Sequence, residues 1–306
     1  MLTAADDDFH PPIEGERWFH ETSWFWFSVP ERGIGSWIYN WVRPNIGVAG
    51  GGCWVWDTST HVHWDAPYFS NHMNLAAPVG ADMRDIVFPT GISLKMLEPL
   101  TSYAIGYRDE PDIAFDLRFD AVMEPWVSST VGADGVARPH HLDQFGRVTG
   151  TLVLHGESIP VDCHAIRDRT WSLRSERWNR GGGYGYTSAM NDAGDAFLAV
   201  GDSSAMKGFV VLDGVISAVT SGTRVVKRDD EHGWPITVEL VLRDDMGRET
   251  RCVGRSISRI CTPVPAVHGV VWTSVVEWTI DGRHAWGDDQ EPWPVKMWAA
   301  FRRRRG

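Results

Sequence analysis

Apolar and polar residues alternate along much of this chain with a period of two, in short runs bounded by glycine, proline and aspartate. Ile113–Met123 (IAFDLRFDAVM), Val148–Leu154, Ile236–Leu242 (ITVELVL) and Val275–Ile280 are clear examples. Successive side chains of a strand point to opposite faces, so each run predicts a strand with one face turned to a core. Asp281-Gly282 follows the last run, and that dipeptide favours the tight turn of a hairpin, with Arg283–Trp286 as the returning strand. The period of an amphipathic helix is scarce, and Asn71–Arg84 is the segment that could hold a short one. The expected fold class is all-β.

The order of strands repeats. In each half a Trp- or Val-rich pair comes first (Trp37–Trp56; Ala196–Val219), then an amphipathic strand after a proline (Pro111–Met123; Pro235–Leu242), then a closing hairpin (Val148–Ala165; Thr273–Trp286). Two lipocalin-like antiparallel β-barrels in tandem fit this pattern, because closure removes sheet edges and leaves an interior for an apolar ligand. The boundary is placed in the Gly-rich stretch Arg180–Gly185, giving an N-terminal barrel over 1–180 and a C-terminal barrel over 181–306. Neither Gly50-Gly51-Gly52 nor Gly181-Gly182-Gly183 has the strand, helix and Lys or Ser/Thr context of a phosphate loop, so both read as bends or bulges.

Composition narrows the partners. A net charge of −11 argues against nucleic acid, whose phosphates demand a basic surface. The basic run Arg302–Arg305 reads as a solvated tail. No apolar run approaches the roughly 18–20 residues of a membrane span, so no integral membrane association is expected. The opening MLTAADDDFHPPIEG lacks the basic and apolar regions of a signal peptide, which points to a cytoplasmic protein. Cys53, Cys163, Cys252 and Cys261 form no CxxC pair and are expected to be reduced thiols. The chain's 17 tryptophans are several times ordinary usage, and many fall at 18–64 and 272–298. Such clusters either line a wide apolar cavity or fill a core.

Three stretches could carry chemistry. In HETSWFWF (20–27), Trp24 and Trp26 share one face of a strand and Phe25 and Phe27 the other, so the strand must be covered on both sides; His20 and Glu21 read as a barrel-mouth or surface pair. In WVWDTSTHVH (54–63), Trp54, Trp56, His61 and His63 alternate as if sharing a face. Two histidines at that spacing beside Asp57 could hold a metal, but further ligands cannot be named, and no metal is the expectation. In CHAIRDRTWSLR (163–174), alternation puts His164, Ile166 and Asp168 on one face and Cys163, Ala165 and Arg167 on the other. Asp168 would feel desolvation, which raises a carboxyl pKa, and nearby arginine, which lowers it. It is then either a proton-transfer group or a structural ion-pair partner.

The run Ala165-Ile166-Arg167-Asp168-Arg169-Thr170-Trp171-Ser172 resembles the A-x-x-D-R/H-x-W-S/G signature of the hydroxyneurosporene synthase (carotenoid 1,2-hydratase) and AttH-like superfamily, which includes kievitone hydratase-like proteins and fungal Diels–Alderases. The resemblance implies tandem lipocalin-like barrels over nearly the whole chain. It also implies work on large apolar isoprenoid- or polyketide-like substrates with no metal or organic cofactor. Carried over residue by residue, Asp168 is the expected proton donor, with His164 and Arg169 as its catalytic companions and Trp171 as the signature tryptophan. Trp24, Trp26, Trp54, Trp56, His61 and His63 are added as substrate-binding candidates by location. Ile166 and Thr170 depart from the carotenoid hydratases, which argues against carotenoid itself as substrate. The second half has no copy of the signature: Gly287–Pro292 reads as a polar loop, and Glu277 as a solvent-facing residue.

Two functions compete on this reading. One is a cofactor-independent hydratase, dehydratase, isomerase or cyclase; the other is a lipocalin-like carrier of an apolar ligand in which Asp168 is structural. Oligomeric state has no sequence signal.

Overall fold

A computed structural model describes residues 2–131, 137–174, 183–263 and 269–304. Its strands are β1 (Phe19–Phe25), β2 (Ser28–Val29), β3 (Ile34–Arg43), β4 (Val48–Trp56), β5 (Tyr68–Ala76), β6 (Asp85–Val87) and β7 (Ser93–Glu98). Next come β8 (Ser102–Asp109), β9 (Ile113–Ala121), β10 (Trp126–Val131), β11 (Ala137–Leu154) and β12 (Glu157–Leu173). The remainder are β13 (Gly185–Met190), β14 (Ala196–Asp202), β15 (Ala205–Leu212), β16 (Val215–Arg228), β17 (Pro235–Asp244), β18 (Glu249–Pro263), β19 (Gly269–Ile280) and β20 (Arg283–Pro294). The fold is all-β and antiparallel. It has two parts: a 12-stranded sheet ordered β5-β4-β3-β1-β12-β11-β9-β8-β7-β6 with β2 and β10 alongside, and a closed barrel from β13 to β20.

The chain forms two compact units: Met1–Val29, Ser36–Val55 and Pro67–Glu176 make one, and Pro30–Gly35, Trp56–Ala66 and Arg177–Gly306 the other. Residues 180–182 of the Gly-rich stretch lie outside the described residues.

Period-two alternation is visible in the burial of β9 and β18. The turn at Asp281-Gly282 has both residues at positive φ (47° and 83°), and His155-Gly156 (50° and 83°) closes the β11–β12 hairpin in the same way. That primed geometry matches the strand twist, and glycine takes the second position without a Cβ penalty.

Several expectations are corrected. No helix lies in 71–84: β5 runs to Ala76 and turns follow. The expected loop Gly287–Pro292 belongs to strand β20. The basic run is exposed over Arg302–Arg304, as expected, although its first two arginines end a helix, α1 (Val295–Arg303), which packs Trp298 and Phe301 on Trp293 with ring centroids 5.5 and 5.3 Å apart. Glu277 is solvent-facing as expected, and its carboxylate accepts from Arg255 at 2.6 Å.

Each unit fills the interior of its own sheet. In the first, Phe25, Tyr103 and Phe119 pack at 5.6–6.0 Å between centroids. The Arg167 guanidinium lies 4.3 Å over the Tyr103 ring. Arg167 also donates to Gln144 at 2.8 Å and to Asp7 at 3.3 Å, while Arg169 donates to Glu21 at 2.7 Å. Burial raises the Asp7 pKa, but Arg167 and the Tyr103 hydroxyl outweigh it and leave the carboxyl low and charged. The cavity left there, between Glu21, Asn40, Met83 and Arg169, has a volume of about 10 Å³. That is room for about one water molecule and far from an ordinary ligand pocket.

In the second unit, Phe197, Leu240 and Trp278 lie in the core and Arg224 pairs with Asp289 at 2.8 Å. Arg228 pairs with Glu291 nearby. The interior faces of the first unit's sheet and of the second unit's barrel are therefore filled by packed rings and paired charges rather than open to a large apolar ligand.

Candidate functional site

The chemistry-bearing face is the other side of the first unit's sheet. Strand alternation persists through the signature, so Arg167, Arg169 and Trp171 join the packed interior while Ile166, Asp168 and Thr170 take the opposite face. Asp168 is therefore not clasped by the two arginines that flank it in sequence. Directly opposite it on β11 is Asp143, and on β1 is Trp24; His141 and Thr22 flank Thr170 one step along. Register partners share a face, so three strands gather these side chains.

The His141 ring bonds Thr170 Oγ1 through Nδ1 at 2.8 Å and Asp143 through Nε2 at 3.0 Å. Side-chain ligand atoms of His141, Asp143 and Asp168 lie within 4.8 Å of one another. Burial opposes charge on the imidazole, but Asp143, then Asp168, outweigh it and raise the His141 pKa. Asp168 is pushed up to about 6. Desolvation is the main cause and Asp143 adds to it, against His141, Arg174 and Arg167. Its Oδ1 is buried without a hydrogen-bond partner among the described residues. Arg174 hydrogen-bonds Tyr39, which faces Trp24 across β1 and β3.

Aromatic rings extend this face. Trp24 meets Trp37 at 5.4 Å, Trp37 stacks on Trp54 at 5.4 Å and 15°, and Trp54 meets Phe69 at 5.5 Å. Glycines make room for them: a Cβ on Gly50 would come within 2.5 Å of the Trp41 ring. A partly protonated carboxyl, an imidazole whose pKa is raised by two carboxylates and a bank of indole rings can together move a proton and stabilise a carbocation. The same His141, Asp143 and Asp168 could instead hold a divalent cation, but both imidazole nitrogens are already engaged, so ligation requires breaking one of those bonds.

A family model described as a domain of unknown function, DUF7064, matches residues 3–293. The chain belongs to the DUF7064 family. No curated protein sequence matches it significantly. Among solved structures, this DUF7064 chain is similar to a Nitrosomonas europaea protein provisionally described as an AttH (NE1406), with 15% identity, TM-score 0.59, and 93% of this chain and 98% of that one covered. It is also similar to CghA (10% identity, TM-score 0.54, 92% and 93% covered) and to kievitone hydratase from Nectria haematococca (11%, 0.50, 94% and 94%). At such identities the likeness establishes a shared fold.

The predicted site residues of this DUF7064 chain divide clearly. Trp24 and Trp54 join the aromatic bank on the Asp168 face, and Trp26 is buried just past the end of β1. His164 shares the face but stands four residues along β12, about 13 Å away at strand rise, opposite Arg147. Arg169 points to the interior and pairs with Glu21, and Trp171 stacks on His10 at 4.3 Å on that same side. His20 and Glu21 do not form a surface pair: both are buried, on opposite faces of β1.

The alternation expected from Trp54 to His63 fails, because β4 ends at Trp56 and the chain turns at Asp57. Trp56, His61 and His63 fall in the second unit, where His61 stacks on Trp234 at 5.1 Å. Sequence reasoning missed His141, Asp143 and Arg174. A signal for the first two existed: with a two-residue turn at His155-Gly156, counting eleven residues outward from each strand end pairs Asp143 with Asp168.

Proposed function

We propose that this protein is a cofactor-independent hydratase, dehydratase, isomerase or cyclase acting on a large apolar, isoprenoid-like substrate, with Asp168 and His141 as its proton-transfer pair. The observation that carries the reading is the Asp168 carboxyl, held near pKa 6 beside the His141–Asp143 pair, with an unpartnered oxygen on an indole-rich face. Kievitone hydratase and CghA share the fold, which supports a hydratase- or cyclase-type activity.

Protonated Asp168 donates its proton to one carbon of an alkene, whose π electrons form the new C–H bond and leave a cation on the neighbouring carbon. The indole of Trp24, the register partner of Asp168, stabilises that cation by charge–quadrupole attraction, with Trp37 and Trp54 packed behind it. The carboxylate left on Asp168 is stabilised by cationic His141, itself held by Asp143. Water, an internal nucleophile or loss of a different proton then completes hydration, cyclisation or isomerisation, and the released proton restores Asp168.

The test is turnover of a panel of prenylated, terpenoid and steroid compounds by the native protein and by Asp168→Asn. Conversion is expected with the native protein and should vanish in the Asp168→Asn variant while binding persists. Binding of panel members without conversion by the native protein overturns the reading in favour of a carrier.

A further inference from the structure

The chain ahead of β1 is anchored to the first unit by one buried residue. No part of 2–18 joins a strand, and among these residues only Asp7 is buried, at 1% exposed. Its carboxylate accepts from the Leu100 N–H at 2.7 Å, from the Tyr103 hydroxyl and from Arg167 Nη1 at 3.3 Å. Arg169 donates to the backbone carbonyls of Asp7 at 2.7 Å and Asp8 at 3.1 Å. These donors sit on β8, on β12 and in the turn between β7 and β8, so none belongs to the segment that they hold.

The donor set exceeds what one Asp7 side chain uses. Arg167 Nη2 and Arg169 Nε are buried without partners among the described residues. A buried N–H on a charged group is costly to leave unpaired, so the pair has capacity for a further acceptor. Charge points the same way: the two guanidiniums face the carboxylates of Asp7 and Glu21, and withdrawing Asp7 leaves one positive charge unmatched. The surroundings are apolar. Leu2 packs against Phe19, Leu142 and Trp171, His10 stacks on Trp171, and Phe9 lines the water-sized cavity with Met83 and Phe88.

We propose that the interior of the first unit is a binding site for a monocarboxylic acid with an apolar body, kept shut by residues 2–10, whose Asp7 stands where the ligand's carboxylate binds. Room for the ligand comes from the segment itself. Swinging it out withdraws the side chains of Leu2, Asp7, Phe9 and His10 and bares Phe19, Leu142 and Trp171 beside Arg167 and Arg169. No strand ladder breaks in that movement, so the opening is local rather than global. Ligand and segment compete for the same donors, and the apparent affinity of the native chain is lowered by the fraction of molecules that are shut. The site lies across the sheet from Asp168, so it stands or falls independently of the activity assigned there.

The test titrates the full chain and its Asp7→Ala variant with 3-phenylpropionate and with the neutral 3-phenylpropanamide, by calorimetry, and follows amide hydrogen exchange in residues 2–10. Asp7→Ala removes the competing carboxylate, so it should bind 3-phenylpropionate at least about tenfold more tightly than the native chain and prefer it to the amide by a similar factor. Exchange in residues 2–10 of the variant should quicken as the acid binds, because the segment is displaced. Should Asp7→Ala not fold, Asp7→Asn, which keeps the shape and loses the charge, serves for the same comparison. A folded variant that binds the acid no more tightly than the native chain, that binds the amide equally well, or whose exchange in residues 2–10 is unchanged or slowed by the acid overturns the proposal.

Discussion

Asp168→Asn should stabilise the protein at pH 8 and leave its stability unchanged at pH 4. In the unfolded chain the carboxyl titrates at its ordinary value near 3.8, and in the folded protein at about 6, because the protein environment disfavours its charge. Below pH 4 both states carry the proton and nothing is lost. As the pH rises from 4 to 6 the unfolded state ionises first, so native stability falls, and above 6 the loss is complete. The interval of about two pH units corresponds to about 3 kcal/mol, at 1.36 kcal/mol each. This is an upper bound, because the carboxyl is not wholly removed from solvent.

Asparagine keeps the shape and cannot ionise, so urea unfolding midpoints of native and variant should coincide near pH 4 and separate in the variant's favour above pH 6. A structural latch predicts the reverse: removing one partner of a stabilising ion pair costs stability at neutral pH. A variant less stable than the native protein at pH 8, with the difference vanishing in acid, would refute the reasoning that makes Asp168 a strained acid.

Three further outcomes follow from the same geometry. Arg169→Met should lower stability by about 3 kcal/mol in urea unfolding, because it removes the guanidinium partner of Glu21 in the first unit's interior and leaves that carboxylate only its contacts with His10. His141→Gln should move the acid-to-neutral fall in stability to higher pH, because the imidazolium attraction that lowers the Asp168 pKa is removed; an unchanged curve would deny their coupling. Dialysis against EDTA should leave turnover of any converted panel member intact; loss that a divalent cation restores would make His141, Asp143 and Asp168 ligands instead.

The strand signal and the site signal were legible to different degrees, for a physical reason. Alternation is a local property: Ile113–Met123 and Val275–Ile280 reveal their faces because each face meets a different environment within the strand itself. The Asp281-Gly282 turn is equally local, since positive φ at both positions is a demand that the dipeptide meets alone. Even the split of Asp168 from Arg167 and Arg169 follows from period two. Its consequence is easily missed, because adjacency in the written sequence suggests ion pairs that a pleated strand forbids.

Partners across strands are another matter. Which carboxylate and imidazole face Asp168 is a question of register, and register depends on the length of the turn that joins the strands. For β11 and β12 that turn is His155-Gly156, two residues whose histidine gives a weaker sign than Asn or Asp would, so Asp143 and His141 stayed hidden although they are fixed by counting. Trp24 and Tyr39 lie beyond even that count, because β1 joins β12 across most of the first unit's length. The pKa of Asp168 is the sum of such non-local placements. An acid that the sequence could mark only as balanced between desolvation and arginine becomes a candidate proton donor once both arginines are seen to spend their bonds on the far side of the strand.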